Sequence, residues 1–166
     1  SADVDLALKP ADPKVASTVS IKAKWLPDAP LLVTAVLDGL KADAEYDLKL
    51  ATYKASLSGE GFQSARVDPW LAIFKADTKG SVVLTGSWRG GGAVKEKKHQ
   101  GSLVLGRLDW SREGAAPITA EGELLYDWPG VVSSRGLRLR TADQELGADL
   151  KLAGGMLEMT QLRWLD

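Results

Sequence analysis

Cysteine is absent from the 166-residue sequence, and histidine occurs once, as His99. The first absence excludes disulfides and thiolate chemistry, but it does not choose a compartment, since many periplasmic and cytosolic domains lack Cys. The second leaves any zinc site to carboxylates almost alone, a rare arrangement. It also makes His99 the one base open to a Ser-His-Asp triad, and no G-x-S-x-G elbow accompanies it. No acids are spaced around a glycine as in an EF-hand loop. Arg89-Gly-Gly-Gly92 matches neither a P-loop nor a dinucleotide fingerprint. The sequence therefore predicts no metal, no cofactor and no enzyme.

An excess of charge is also missing. There are 21 basic and 22 acidic residues and a net charge of −1, which gives no general pull toward nucleic acid or an anionic membrane. No run approaches the ~18 apolar residues of a spanning helix. No signal peptide is visible. The chain opens on a strand-like Asp3-Val-Asp-Leu-Ala-Leu8 and stops at Asp166 just after another strand, so it reads as a piece of a longer protein. Phe and Tyr are scarce, at two and three, against six Trp. Trp joins a large apolar body to one N–H donor, which suits rims where apolar meets wet.

What is present is period-two alternation, the signature of half-buried strands. The organising stretch is Gly101-Ser-Leu-Val-Leu-Gly-Arg-Leu-Asp-Trp110, which recurs as Gly155-Met-Leu-Glu-Met-Thr-Gln-Leu-Arg-Trp164, 54 residues later. Both read G-x-L-x-[L/M]-x-x-L-x-W: a strand with one apolar face, a slip or bend at the paired x positions, and a terminal Trp. Val4, Leu6 and Leu8 share one strand face, and Val19, Ile21, Ala23 and Trp25 another. Leu31–Leu37 is a continuous apolar run, read as a strand because of Val33, Thr34 and Val36. Glu45–Ala51 alternates through Tyr46, Leu48 and Leu50. Ile118–Trp128 is a long alternating strand, and 136–140 with 148–152 reads as a hairpin.

Three segments are read as irregular. Pro10 and Pro13 mark a loop, and Arg89–His99 is a flexible basic loop in which His99 is solvated. Trp70–Ala76, after Asp68-Pro69, fits a strand or a helix. Glu121 and Glu123 share a strand face, side chains ~7 Å apart, but it is the polar face, so a solvated surface outweighs an acid/base pair. Trp25, Trp88, Trp110, Trp128 and Trp164 all fall at strand ends, where they close an apolar interior, line the mouth of an acyl-chain groove, or stack on sugars.

Taken together these segments predict an all-β chain of roughly eleven to thirteen short strands in one domain over 1–166, large enough for a sizeable core. A membrane-spanning barrel is disfavoured, because charges interrupt most strands and few reach the roughly 9–11 residues required.

The strings 101–110, Ile118-Thr-Ala-Glu-Gly-Glu-Leu-Leu-Tyr126 and Gly136-Leu-Arg-Leu-Arg140 with Leu150–Leu157 resemble the repeats of TamB/AsmA-like proteins of Gram-negative envelopes, best over 78–166. A type II secretion N-type protein fits almost as well. The resemblance carries no catalytic motif. It implies a curled, twisted sheet forming an elongated, β-taco-like groove. It implies a periplasmic location within an inner-membrane-anchored protein, and a part in phospholipid transport between the membranes and in outer-membrane biogenesis. The partners to expect are phospholipid or another acyl-chain ligand and an outer-membrane protein or other envelope partner, with no nucleic acid. Expected groove-lining residues are Leu103, Leu105, Leu124, Leu137, Leu139, Leu150, Leu152 and Leu157, with Trp110, Trp128 and Trp164 at the rim. The alternative is a β-sandwich that binds protein or carbohydrate.

Overall fold

Alternation carried through every strand fixes the architecture, because antiparallel neighbours place directly paired residues on the same side of a sheet. The computed structural model describes residues 1–9, 18–66 and 80–165, without the side chain of Leu165. Pro10, Pro13, Asp68, Pro69 and Trp70–Ala76, on which expectations were placed, lie outside the described residues. The strands are β1 (Ala2–Leu8), β2 (Val19–Trp25), β3 (Leu31–Leu37), β4 (Leu40–Asp47), β5 (Thr52–Gln63), β6 (Ser81–Ala93), β7 (Lys98–Ser111), β8 (Ile118–Trp128), β9 (Val131–Arg140), β10 (Glu145–Ala153) and β11 (Met156–Leu165). A 3₁₀ turn, Ser64–Arg66, follows β5.

These eleven strands form one antiparallel sheet in simple chain order, β1 through β11. The all-β expectation therefore holds. The curled groove does not: the sheet is neither closed nor strongly curled. The sandwich alternative fails as well, since the described strands make one sheet whose contacts lie chiefly between neighbours in sequence. A sizeable core is missing among the described residues for the same reason. Among the described residues only Leu37, Ala51 and Ala120 are buried apolar side chains.

Seven strands, β5 to β11, run nine to fourteen residues, longer than the short strands expected. Length therefore does not argue against a membrane barrel.

The slip read in the repeat is a β-bulge in both copies. In β7 the register shifts between Leu105 and Leu108 against β8, and in β11 an extra residue lies opposite the Gly147–Asp149 stretch of β10. Strands β5 and β9 carry the same device at Gly61 and Gly136, both with positive φ. An extra residue bends a strand and increases its local twist. Four alternate strands thus share a line of bulges across the sheet, and the even strands between them stay regular.

Local chemistry sets the turns. Asp38-Gly39 joins β3 to β4 in two residues, with Gly39 at φ 81°. Asp47 Oδ1 accepts from the backbone N–H of Lys49 and of Leu50, both at 2.8 Å, and ends β4. Leu48 and Leu50, expected to continue that strand, sit instead on the turn and are exposed.

Candidate apolar-ligand face

The register sorts every strand into the same two sides. One side carries Leu6 and Ile21, Ala35 and Ala42, then Leu57, Trp88, Leu103 and Leu124, each paired directly with the next strand's residue or one position along the row. The row continues through Ser134 to Leu150 and Met159. All eight expected lining residues lie on this side. Leu103 pairs with Leu124, Leu139 with Leu146, and Leu152 with Leu157. Leu137 and Leu150 belong to the same side of β9 and β10, and Leu105 pairs with Gly122. Together they line an open wall, because the slot expected from incomplete closure requires a curl that the sheet lacks.

The three rim tryptophans share that side but not one border. Trp128 pairs with His99 near the β6–β7 turn, whereas Trp110 and Trp164 stand beyond the bulge line at the opposite border. Trp88 is not at a strand end. It lies in the middle of β6.

The chief departure from expectation is 89–99. Arg89–Ala93 is the end of β6, residues 94–97 make the turn, and Lys98 and His99 open β7. Three consecutive glycines persist in this strand because a Cβ at each would run into a neighbour: a backbone oxygen at Gly91 and Gly92, aromatic side chains at Gly90. A Cβ at Gly90 would meet the Trp88 ring at 2.6 Å and the Tyr126 hydroxyl at 2.7 Å. Trp88 Nε1 donates to that hydroxyl at 3.1 Å. His99 is half-buried rather than solvated: its Nδ1 lies 3.0 Å from the Tyr53 hydroxyl, with the rings 5.8 Å apart. Two pairs of polar atoms in these rings, Trp88 Nε1 with the Tyr126 hydroxyl and the Tyr53 hydroxyl with His99 Nδ1, are thus matched, which lowers the cost of laying the rings on an apolar surface. Tyr53, Trp88, His99 and Tyr126 were not foreseen as a group. Their only sequence trace is shared parity on strands whose pairing was unknown.

The other side is polar and laced with ion pairs. Glu121 faces Arg138 at 3.3 Å and Arg140 at 3.8 Å, and Arg140 Nε donates to Glu145 at 2.7 Å, which raises the guanidinium's already high pKa further. Glu123 has Arg135 at 4.0 Å. The two glutamates are therefore matched to arginines rather than to each other. Shallow depressions of about 660 and 610 Å³ lie chiefly on this side, around Lys54, Arg89 and Ser102 and around Lys41, Ser58 and Thr85. They are separate from the leucine wall. Among the described residues no cluster of His, Asp or Glu is arranged to hold a metal.

Two carboxyls on the polar side are held below the ordinary value. Lys41 donates to Asp43 at 2.9 Å and the Thr34 hydroxyl at 2.8 Å, the lysine contributing more. Arg107 Nε donates to Asp109 at 2.7 Å, outweighing a smaller desolvation effect, and the Thr119 hydroxyl adds a bond of 2.9 Å. Depressed carboxyls add stability that is fully present above the unfolded value of 3.8 and is lost as pH falls through the lower folded values. The melting temperature should therefore fall on acidification below about pH 4, and in the double variant Asp43→Asn/Asp109→Asn it should fall less. Thermal melts from pH 6 to pH 2 measure this.

The class defined by fold and site is an open, single-layer antiparallel meander with one apolar and one charged side. Compared with protein-family models, curated proteins and solved structures, the chain matches none of them.

Proposed function

We propose that this chain is a non-catalytic, periplasmic sheet segment of an inner-membrane-anchored envelope protein. Its apolar side is a bed for phospholipid acyl chains moving between the inner and outer membranes, in the service of outer-membrane biogenesis. The observation that carries the reading is the apolar side itself. It extends across all eleven strands, with Ser134 as the polar position in its central row, and no second layer covers it among the described residues.

Non-directional contact suits transport. Each CH₂ laid on the wall gains ~0.8 kcal/mol, and no hydrogen bond fixes the chain in one place. A headgroup stays in water at the border, where Trp25, Tyr46, Tyr53, His99 and Trp128 fall in one row. The line of bulges across β5–β11 is where such a sheet would bend toward the β-taco form when an acyl chain is present. The resemblance of 101–110, 118–126 and 136–157 to TamB/AsmA-like repeats points the same way.

Lipid extraction and mass spectrometry of the chain purified from an envelope without detergent tests the reading. Bound phospholipid is the expected result. Lipid-free protein that also takes up none from vesicles contradicts it.

A further inference from the structure

We infer that the strand ends along one border of the sheet dock on a lipid bilayer that carries anionic headgroups. The surface is the set of turns β2–β3, β4–β5, β6–β7 and β8–β9, not the leucine wall, so the inference stands whether or not the wall holds acyl chains. Each of these turns presents a large apolar side chain to water: Leu26, then Leu48 and Leu50, then Val94, then Trp128 at the last residue of β8. Leu48 and Leu50 are 56% and 69% exposed. The described turns at the other border, Asp38-Gly39, 112–117 and 141–144, hold no large apolar residue. All four apolar turns join interior strands, so their exposure does not arise at a sheet edge.

The tips form one surface. Lys49 Nζ donates to Asp28, which ties the β4–β5 turn to the β2–β3 turn. Trp25, Pro27, Leu48 and Lys49 surround a depression of about 290 Å³ between those two turns. Val94 N–H donates to Ala51 O at 2.9 Å, which ties the β6–β7 turn to the β4–β5 turn. Behind the tips runs the aromatic row, where Tyr46 pairs with Tyr53 and His99 with Trp128. Aliphatic tips backed by Trp and Tyr follow the order of a bilayer interface, acyl chains first and headgroups next.

Two further properties fit a bilayer. The backbone of the tips is satisfied from within: Lys49 and Leu50 N–H donate to Asp47, Ala29 N–H to Leu26 O, Lys97 N–H to Val94 O, and Gly130 N–H to Asp127 O. Groups already bonded enter a region poor in water at little cost. Charge is the second property. Residues 48–51 and 94–98 hold four lysines against Glu96. Lys49 is paired with Asp28 and Lys98 with Glu96, which leaves Lys95 and Lys97 without an ion pair among the described residues. Asp47 turns its carboxylate onto the backbone, and Asp127 lies on the polar side opposite Gln100. The net charge of −1 gives no general attraction. Within the roughly 10 Å over which charge acts in salt solution, the lysines beside Val94 supply a local one.

Cosedimentation of the 166-residue chain with vesicles tests this. Vesicles of phosphatidylcholine mixed with phosphatidylglycerol should bind it about tenfold more tightly than phosphatidylcholine alone. Leu48→Ser/Leu50→Ser should weaken binding to the mixed vesicles by about tenfold or more, and Lys95→Gln/Lys97→Gln should remove the preference for phosphatidylglycerol. Leu103→Ser/Leu124→Ser, which interrupts the wall, should bind as the parent does. Because the chain has no cysteine, a polarity-sensitive dye on Leu50→Cys reports from the tips alone. It should shift to the blue on the mixed vesicles, while the same dye on Ala142→Cys at the other border should not. No vesicle binding, or undiminished binding by the tip variants, overturns the proposal. Loss of binding in the wall variant alone overturns it too and leaves the acyl-chain reading standing. A Leu50→Cys dye already blue without vesicles also overturns it, because the tips are then covered by a second copy or by another part of the chain.

Discussion

Replacing Leu103 and Leu124 together by lysine is expected to cut retained phospholipid by roughly tenfold to a hundredfold. These residues are direct cross-strand partners at the centre of the apolar side, next to Trp88. An acyl chain crossing them would lose several CH₂ contacts worth ~0.8 kcal/mol each and would meet two ammonium groups whose hydration it must disturb. Stability should change little by comparison, because both positions are only half-buried and a lysine stem can lie along the sheet while its charge reaches water. The control places the same charges on the other side, Ser102→Lys with Leu125→Lys, a directly paired couple on the polar face. That variant should retain lipid as the parent does. Equal loss in both variants would mean that lipid follows net charge and not the leucine wall.

The second large effect concerns the bulge line. Gly122→Val should destabilise the fold by about 2–4 kcal/mol. Gly122 has φ 137°, and a Cβ there would stand 2.8 Å from Leu137 Cα and 2.9 Å from Gly136 O. These are backbone atoms of the bulged neighbour and cannot swing aside. Gly86, at the same level of β6, would bring a Cβ within 2.5 Å of Val104 O, so Gly86→Val should behave alike. Gly147 is the contrast. The nearest atoms to its Cβ are 3.8 and 3.9 Å away, and Gly147→Ala should shift stability by no more than about 0.5 kcal/mol. Denaturant unfolding of the three variants measures this. If Gly122→Val and Gly147→Ala cost the same, the bulges are not rigid.

Which parts of this fold could be read in advance follows from how far apart the deciding residues lie. Alternation is local, so the strands containing Leu103, Leu124, Leu137 and Leu150 and the common side of those leucines were legible. The bulge was legible too, because an x-x between two leucines of unequal spacing cannot keep one face without an extra residue. The curl was not. It depends on twist and bulge geometry summed over eleven strands, which no single window contains.

Residues 89–99 misled for a related reason. Three glycines and several lysines look like a flexible loop when read alone. The rings that crowd Gly90 come from Trp88 and from Tyr126, on β6 and β8, and His99 is held by Tyr53, 46 residues earlier. Strand β4 ended early because one side chain, that of Asp47, captures two backbone N–H groups. Periodicity in Tyr46, Leu48 and Leu50 carries no sign of that.

Tryptophan quenching by brominated acyl chains is the most direct measurement of the apolar bed. Trp25, Trp88, Trp110, Trp128 and Trp164 all lie on the leucine side. With Trp70→Phe in place, every remaining indole reports from that surface. Phospholipid brominated near the middle of its chains, loaded from vesicles that are then removed, should quench most of the emission, and Leu103→Lys/Leu124→Lys should restore it. Emission unchanged by the brominated lipid, or quenched equally in that variant, would contradict the account.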